Sequence, residues 1–307
     1  MPDTLTVHAP AKVNLSLEVL GKRSDGYHEL RTIMQAVDLR DTVRLCPRSD
    51  GRITLSCNRD DVPEDEDNLV MQAAKLLQDN YGVSAGVDIE LRKTIPPGAG
   101  LAGGSSDCAA TLRGLNVLWE LGLEAPELEG LAGRLGSDIP FFIRGGTSVC
   151  TGRGEKVEPL PTGATFHYVL VVPDFPVSTA SIYASCPDSL TMTERGYKNI
   201  SRGVREGRPE MAGSSLFNAL QETACRQNPR LAEMLTHIDN LARRTRSYGS
   251  LLCGSGSSMF SLHADENDAE RAARLLTEAL GVRCETAASL PDWGLRRLLE
   301  REDSSRC

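Results

Sequence analysis

The stretch KTIPPGAGLAGGSSDCAATL, from Lys93 to Leu112, combines a glycine-rich loop with the start of a helical pattern. Glycines allow positive φ and a close approach of the backbone to a ligand, and Ser105, Ser106 and Asp107 are residue types that cap helix starts. One buried helical stripe follows at spacings of four, three and four: Cys108, Leu112, Leu115 and Trp119. Because free amides at a helix N-terminus attract anions, the stretch predicts a phosphate site, although similar turns also occur without a ligand.

Two familiar nucleotide motifs do not fit this loop. Gly98, Gly100 and Gly103 satisfy the pattern G-x-G-x-x-G, but a dinucleotide fold needs a second strand ending in an acidic residue roughly 20 positions later. The chain reads CAATLRGLNVLWEL there, which is a helical pattern. A Walker A loop requires a lysine at the position that Gly104 occupies. We therefore expect a phosphate site that has no lysine of its own in the loop.

Composition limits the classes of partner and the location. The 307 residues carry a formal net charge of −8, whereas binding to nucleic acid requires a basic surface. No apolar run approaches the ~18 residues of a membrane span. The N-terminal sequence MPDTLTVHAPAK lacks the basic and apolar regions of a signal peptide. We expect a cytoplasmic protein that binds neither nucleic acid nor membrane.

The order of predicted elements indicates the fold class. Strand and helix patterns mix in both halves of the chain, which predicts an α+β protein, and the length predicts two domains. We place the N-terminal domain at residues 1–160 and the C-terminal domain at residues 161–307. The charged, glycine-containing segment PDSLTMTERGYKNISRGVREGRPEM, from Pro187 to Met211, predicts a mobile surface loop near the substrate cleft.

Two residues outside the loop, Lys12 and Asp138, are candidates for a catalytic role. TVHAPAKVNLSLEV, from Thr6 to Val19, ends in strict alternation, which predicts a half-buried strand with Lys12 and Asn14 on its polar face. Asp138 lies in the predicted turn GSDIPFF. Phosphoryl transfer needs a positive group near the phosphate and a base for the acceptor hydroxyl, roles that Lys12 and Asp138 could fill. Taken singly, each is more typical of a solvated strand lysine or a turn aspartate.

Taken together, these motifs resemble a known kinase superfamily. PAKVNLSLEV, PPGAGLAGGSSDCAA and LCGSGSSMF are similar to the three motifs of galactokinase, homoserine kinase, mevalonate kinase and phosphomevalonate kinase. More narrowly, AKVNLSL followed by DGYHEL, EDNLV and GSDIPFF resembles the family of 4-diphosphocytidyl-2-C-methyl-D-erythritol kinases of the non-mevalonate isoprenoid route. The resemblance implies an N-terminal domain like domain 2 of ribosomal protein S5, a ferredoxin-like C-terminal domain and an active site in the cleft between them.

The resemblance also implies the reaction and its nucleotide contacts. ATP with Mg²⁺ is the expected donor, and the 2-hydroxyl of the methylerythritol unit is the expected acceptor. Lys12 and Asp138 match the catalytic pair, and Asn68 matches a contact on the adenine side, although an asparagine there is as typical of a helix start. The expected phosphate loop comprises Pro96, Pro97, Gly98, Ala99, Gly100, Leu101, Ala102, Gly103, Gly104, Ser105 and Ser106. No dedicated metal ligand is predicted beyond a serine hydroxyl near the phosphates.

The expected substrate contacts form a cytidine pocket. A flat ring such as Tyr27 can stack on a base, and the imidazole of His28 can hydrogen-bond to its polar edge. By the same resemblance, Tyr183 in TASIYAS closes the other face of the base and Asn14 lies on the substrate side. We expect small molecules as the only partners, and a monomer or weak dimer.

Two other functions stay open at this point. A sibling kinase could act on homoserine or a mevalonate derivative with the same machinery, although DGYHEL and the length of the chain speak against it. A nucleotide-binding regulatory module could have lost transfer activity, but both Lys12 and Asp138 are present. A direct test of acceptors separates these alternatives.

Overall fold

The computed structural model of the chain describes residues 4–242, 244–290 and 299–302. Up to residue 160 the elements are β1 (Thr4–Lys22), β2 (His28–Arg48), β3 (Ile53–Cys57), α1 (Leu69–Tyr81), β4 (Gly86–Arg92), α2 (Gly103–Leu118), α3 (Ala125–Leu135), α4 (Ile139–Arg144), β5 (Thr147–Gly152) and β6 (Lys156–Pro159). Beyond residue 160 they are β7 (His167–Val172), α5 (Thr179–Ser185), α6 (Glu194–Glu206), α7 (Pro209–Gly213), β8 (Phe217–Asn218), α8 (Gln221–Gln227), α9 (Pro229–Leu241), β9 (Ser247–Leu252), β10 (Met259–His263), α10 (Glu266–Leu280), β11 (Arg283–Ala288) and β12 (Leu299–Glu302). Both halves mix strands with helices, which confirms the predicted α+β class.

The N-terminal sheet is built around the long antiparallel pair β1 and β2. Its main strand order is β12-β1-β2-β4-β3, and β5 joins β2 to β6. Strand β8 pairs parallel to β1, and β12 pairs antiparallel to it. Two strands from beyond residue 160 thus complete the N-terminal sheet, and the domain boundary near residue 160 stays a prediction.

The second half of the chain forms its own four-stranded antiparallel sheet in the order β11-β7-β10-β9. Apolar side chains of α9 and α10, such as Leu231 and Leu276, share a buried cluster with Val171 of β7 and Met259 of β10. A helix-covered antiparallel sheet of this kind is the ferredoxin-like domain expected for this half. Within the described ranges, no helix has the length and apolarity to cross a membrane.

Strand β1 is buried on both faces, so the prediction of a half-buried strand is wrong. Val13 and Leu15 belong to an apolar cluster with Tyr168 of β7. Lys12 and Asn14 on the other face are 3% and 1% exposed. The second half of the chain covers β1, which a strand's own alternation does not reveal. Lys12 and Asn14 therefore face an interior cleft and not solvent.

The segment from Pro187 to Met211 contains α6 and the start of α7, so the loop prediction is wrong. Thr193 caps α6 by accepting a hydrogen bond from the backbone N–H of Gly196 at 3.1 Å. Ile200 and Val204, four residues apart, are fully buried, while charged residues occupy the outer face. The high charge reflects one face of an amphipathic helix, because the apolar residues repeat at helical spacing.

Candidate active site

Two adjoining compartments form a cleft between the halves of the chain. The glycine-loop compartment, about 330 Å³, is lined by Lys12, Asn14, Gly98, Ala99, Gly100, Ala102, Gly103 and Gly104, with Gly254 and Ser255 opposite. The aromatic compartment, about 650 Å³, is lined by Lys22, Tyr27, His28, Arg153 and Asp188, among others. Five residues line both: Leu30, Ser105, Asp138, Thr179 and Tyr183. The two compartments therefore adjoin each other, and Asp138 lies at their junction.

Helix α2 begins earlier than its sequence suggests. It starts at Gly103, its N-cap is Ala102 in a left-handed conformation with φ 57°, and no side chain caps it. The prediction that Ser105, Ser106 and Asp107 cap the helix is wrong, because all three already lie within it. The first amides of a helix have no partner inside the helix, so at an uncapped start they are available to a ligand. The start of α2 is thus suited to bind an anion.

The glycine loop rests on a turn from the second half of the chain. Gly98 and Gly100 have φ of 66° and 79°, which side-chain-bearing residues rarely adopt. A Cβ on Gly100 would lie 2.1 Å from the carbonyl oxygen of Cys253. The backbone N–H of Ser258 donates to the carbonyl of Ala99 at 3.1 Å. The motif LCGSGSSMF therefore supports the loop through backbone contacts.

Lys12 is tied directly to this loop. Its Nζ donates to Gly100 O at 2.7 Å and to Asn14 Oδ1 at 2.8 Å, and its backbone N–H donates to Leu101 O at 3.2 Å. The amide of Asn14 is oriented in turn by its donation to Thr32 Oγ1 at 2.9 Å. The register between β1 and the loop thus brings a buried ammonium to the wall of the glycine-loop compartment.

Asp138 immediately precedes α4, and its side chain caps no amide of that helix. Within the described part of the chain, no ion pair of 4.0 Å or less joins Asp138 to Lys12. The two charges nevertheless influence the same buried thiol: burial raises the pKa of Cys150, Asp138 raises it further and Lys12 opposes the change. Asp138 and Lys12 both line the glycine-loop compartment, so they contribute opposite charges to it.

The predicted cytidine residues lie together in the aromatic compartment. The rings of His28 and Tyr183 stack with centroids 5.3 Å apart and an interplanar angle of 30°. Tyr27 is 54% exposed, and the guanidinium of Arg153 lies 4.8 Å from its ring centroid. The structure thus gathers the three rings, while their contact with a base stays a prediction. Arg153, which the sequence reading missed, lies in the hairpin turn TGRGEK next to Gly154.

Some predicted nucleotide residues lie outside both compartments. Asn68 is the N-cap of α1: its Oδ1 accepts from the N–H of Val70 at 2.9 Å, and its Nδ2 donates to Pro63 O at 2.6 Å. Its neighbour Leu69 lines the glycine-loop compartment. The adenine contact of Asn68 stays a prediction. Pro96, Pro97, Leu101 and Ser106 also line neither compartment.

The described residues fit a metal ion that arrives with the nucleotide. Among them, no group of three or more His, Cys, Asp or Glu side chains is placed to hold an ion. Ser105 lines both compartments. The Oγ of Ser106 is buried and has no hydrogen-bond partner in the described structure. Two serine hydroxyls thus stand at the start of α2, without a carboxylate cage.

Sequence reading also missed a buried ion cluster below the loop. The Nζ of Lys93 contacts Asp41 and lies 2.6 Å from Asp107 Oδ2. Burial alone would lower the pKa of Lys93, but the carboxylates of Asp107 and Asp41 outweigh it and raise that pKa. Burial raises the pKa of Asp107, against the opposing charge of Lys93. The loop itself contains no lysine, as expected, but the ammonium of Lys93, three residues before it, is buried against the start of α2.

Family models match both halves of the chain. Residues 68–146 match the GHMP kinases N terminal domain, and residues 200–281 match the GHMP kinases C terminal domain. A 4-diphosphocytidyl-2-C-methyl-D-erythritol kinase of Bacillus cytotoxicus is 42% identical over 258 residues, 84% of this chain and 88% of the relative. The enzyme of the same name from Geobacillus sp. (strain WCH70) is 41% identical over 274 residues, 87% of this chain and 91% of that protein.

Two solved structures are similar to this chain over most of its length. A crystal structure of 4-(cytidine 5'-diphospho)-2C-methyl-D-erythritol kinase matches with a TM-score of 0.77 and 33% identity, over 92% of this chain and 98% of that one. Homoserine kinase from Cytophaga hutchinsonii reaches a TM-score of 0.78 at 19% identity, over 98% of both chains, so it shows the shared fold alone. Sequence identity, and not shape, separates the two. The chain belongs to the GHMP kinases and, within them, to the family of 4-diphosphocytidyl-2-C-methyl-D-erythritol kinases.

Proposed function

We propose that the protein transfers the γ-phosphoryl group of ATP to the 2-hydroxyl of 4-diphosphocytidyl-2-C-methyl-D-erythritol. The observation that carries this proposal is the position of Asp138, which lines both a glycine-walled compartment and an aromatic one. A base between donor and acceptor must touch both sites. The 42% identity to a kinase of this name supports the choice of acceptor.

On the donor side, the chain supplies amides and one ammonium. The uncapped start of α2 faces the triphosphate, and the loop glycines allow it to approach the backbone. Lys12, held by Gly100 and Asn14, provides positive charge beside the transferring group. Mg²⁺, bound with ATP, would neutralise part of the phosphate charge, and Ser105, which lines both compartments, is the serine that would lie beside it.

On the acceptor side, the aromatic compartment holds the cytidine and the junction holds the hydroxyl. Tyr27 and Tyr183 offer ring faces to the base, and His28 offers a hydrogen bond to its polar edge. The methylerythritol unit then extends toward Asp138, which accepts the proton of the 2-hydroxyl as the oxygen attacks. Lys12 favours the developing negative charge on that oxygen, because an opposite charge within ~4–6 Å stabilises the ionised form.

Cytoplasmic location and a monomer or weak dimer stay predictions.

A parallel assay of acceptors tests this proposal. Purified protein receives ATP and Mg²⁺ with the cytidylyl substrate, homoserine or mevalonate, and ADP release is followed in each mixture. We expect rapid ADP release with the cytidylyl substrate alone, because homoserine and mevalonate have no base for the aromatic compartment. Release with homoserine or mevalonate and none with the cytidylyl substrate would establish a sibling kinase. No release with any acceptor, together with normal ATP binding, would support the inactive regulatory module.

The aromatic compartment gives a prediction for His28. His28→Ala should raise KM for the cytidylyl substrate by about tenfold or more, and KM for ATP by less than about twofold, because only one ligand loses a hydrogen bond. His237→Ala is the control, since His237 is exposed on α9 and lines neither compartment. Steady-state kinetics with each substrate varied measures both constants. Equal increases for both substrates would make His28 a structural residue.

A further inference from the structure

Lys93, Asp41 and Asp107 form an ion cluster, the Lys93 cluster, that is almost completely buried. The side chains of Lys93, Asp41 and Asp107 are 4%, 0% and 3% exposed. Removing charges from water is expensive, and well-packed apolar residues often stabilise a core as well as a buried ion pair does. We therefore expect a cluster of one ammonium and two carboxylates to hold a particular segment of the chain in position. Its connections indicate which segment it positions.

Asp41 holds the chain where the glycine loop begins. One of its carboxylate oxygens contacts Lys93 Nζ, and the other accepts from the backbone N–H groups of Thr94 and of Ile95, the latter at 2.8 Å. The backbone of Lys93 is also fixed, because its N–H donates to Asn58 Oδ1 at 2.7 Å. Three consecutive residues before the loop are thus bound to side chains of other segments.

Asp107 holds the other end of the same loop. It lies in the second turn of α2, and Lys93 Nζ donates to its Oδ2 at 2.6 Å. A single ammonium therefore joins the residue before the loop to the helix after it. All the glycines of the loop lie between these two anchor points. The distance between loop and helix start is set by this connection.

The ammonium also lies directly behind the wall of the glycine-loop compartment. A Cβ on Gly103 would be 3.0 Å from Lys93 Nζ and 2.9 Å from Cγ2 of Ile95. Gly103 itself lines the compartment. Only the backbone of one residue separates the cluster from the space that we assign to the triphosphate. A shift of the ammonium would consequently move the amides at the start of α2.

We propose that Lys93, held between Asp41 and Asp107, is the positioning residue of the nucleotide loop, and that it fixes the spacing between the loop and the first amides of α2. This inference rests on the proposed function only in assuming that the glycine-loop compartment binds ATP. Loss of the ammonium would separate the two anchor points and leave two carboxylates facing each other behind the phosphate site. Nucleotide affinity should therefore fall more than affinity for the acceptor.

Direct binding of a non-hydrolysable ATP analogue with Mg²⁺, measured by calorimetry, tests the proposal without an acceptor. Lys93→Met should weaken binding by about tenfold or more, because ordered amides are lost as a set. Asp107→Ala leaves Lys93 paired with Asp41 and should fold even where Lys93→Met does not; it should weaken binding by about fivefold. Asp107→Asn should recover most of that loss, because an amide oxygen still accepts from the ammonium.

Asp268→Ala serves as the matched control. Asp268 is a buried carboxylate that pairs with Arg271 at 2.8 Å, and it lines neither compartment. The Asp268→Ala variant should have a lower Tm than the wild type and the same Kd for the analogue. Folded Asp107→Ala with unchanged Kd, or equal effects of the Ala and Asn variants, would overturn the positioning role. A wild-type protein that binds the analogue but phosphorylates no acceptor would overturn the proposed function and leave the positioning role supported by the variant series.

Discussion

Asp138→Asn should lower kcat by about 10²–10⁴-fold with little change in either KM, because general-base assistance acts in the transition state. The asparagine has almost the same shape, and the Asp138 side chain caps no helix amide, so the fold should persist with an unchanged Tm. Asp188→Asn is the control, because Asp188 lines only the aromatic compartment. Its effect on kcat should be far smaller. Steady-state kinetics with both substrates measures these effects.

The joint action that we propose for Asp138 and Lys12 makes the same prediction more specific. Lys12→Met should lower kcat to a similar degree, since its ammonium supports the same developing charge. Substitutions of residues that act as a unit have non-additive effects on kcat, so the double variant should be scarcely slower than either single variant. If the fold-loss in kcat of the double variant equalled the product of the two single fold-losses, the two residues would act independently. Nearly full kcat in Asp138→Asn would leave positioning by the glycine loop as the better account.

Gly104→Val should weaken binding of ATP by about tenfold or more while preserving the fold, because the new side chain would occupy the phosphate space. Gly104 is exposed, lies in the first turn of α2 and lines the glycine-loop compartment. A Cβ there meets no protein atom within 4 Å, so the substitution starts in open space and not against the protein. Gly103 is less suitable, because its Cβ would press on Ile95 and Lys93.

Gly130→Val is the matched control for this prediction. Gly130 is also exposed in a helix, and a Cβ there also meets no atom within 4 Å. It lines neither compartment. Both variants should change the Tm little and to a similar degree, because valine is at least as good a helix former as glycine. If Gly104→Val bound the ATP analogue as tightly as Gly130→Val, the phosphates would have to lie away from the start of α2.

Local patterns in the sequence were enough to predict the α+β class and some of the elements around the site. The helical spacing of apolar residues after the glycine-rich loop indicated the helix. The alternation of apolar and polar residues indicated the strand that carries Lys12 and Asn14. The aromatic grouping of Tyr27, His28 and Tyr183 followed from resemblance to a family and is present in one compartment. Their roles as ligand contacts stay predictions.

The errors arose where distant segments decide the local environment. The apolar face of β1 packs against β7 and β10, and Lys12 on its other face is covered by the glycine loop, all of them segments distant in the sequence. The partners of Lys93 come from β2 and α2, so its sequence neighbours gave no sign of an ion cluster. Ser105 and Asp107 have the composition of a helix cap, but the left-handed Ala102 starts the helix earlier.

The most direct test of transfer across the Asp138 junction is ³¹P NMR of a reaction of the wild-type protein with ATP, Mg²⁺ and the cytidylyl substrate. We predict ADP and one new phosphomonoester in equal amounts, with the new phosphate coupled to the carbon that bears the 2-hydroxyl and the diphosphate bridge intact. ADP accompanied by inorganic phosphate alone, or a phosphomonoester at another position of the substrate, would contradict a base at Asp138 that directs the 2-hydroxyl to the γ-phosphate.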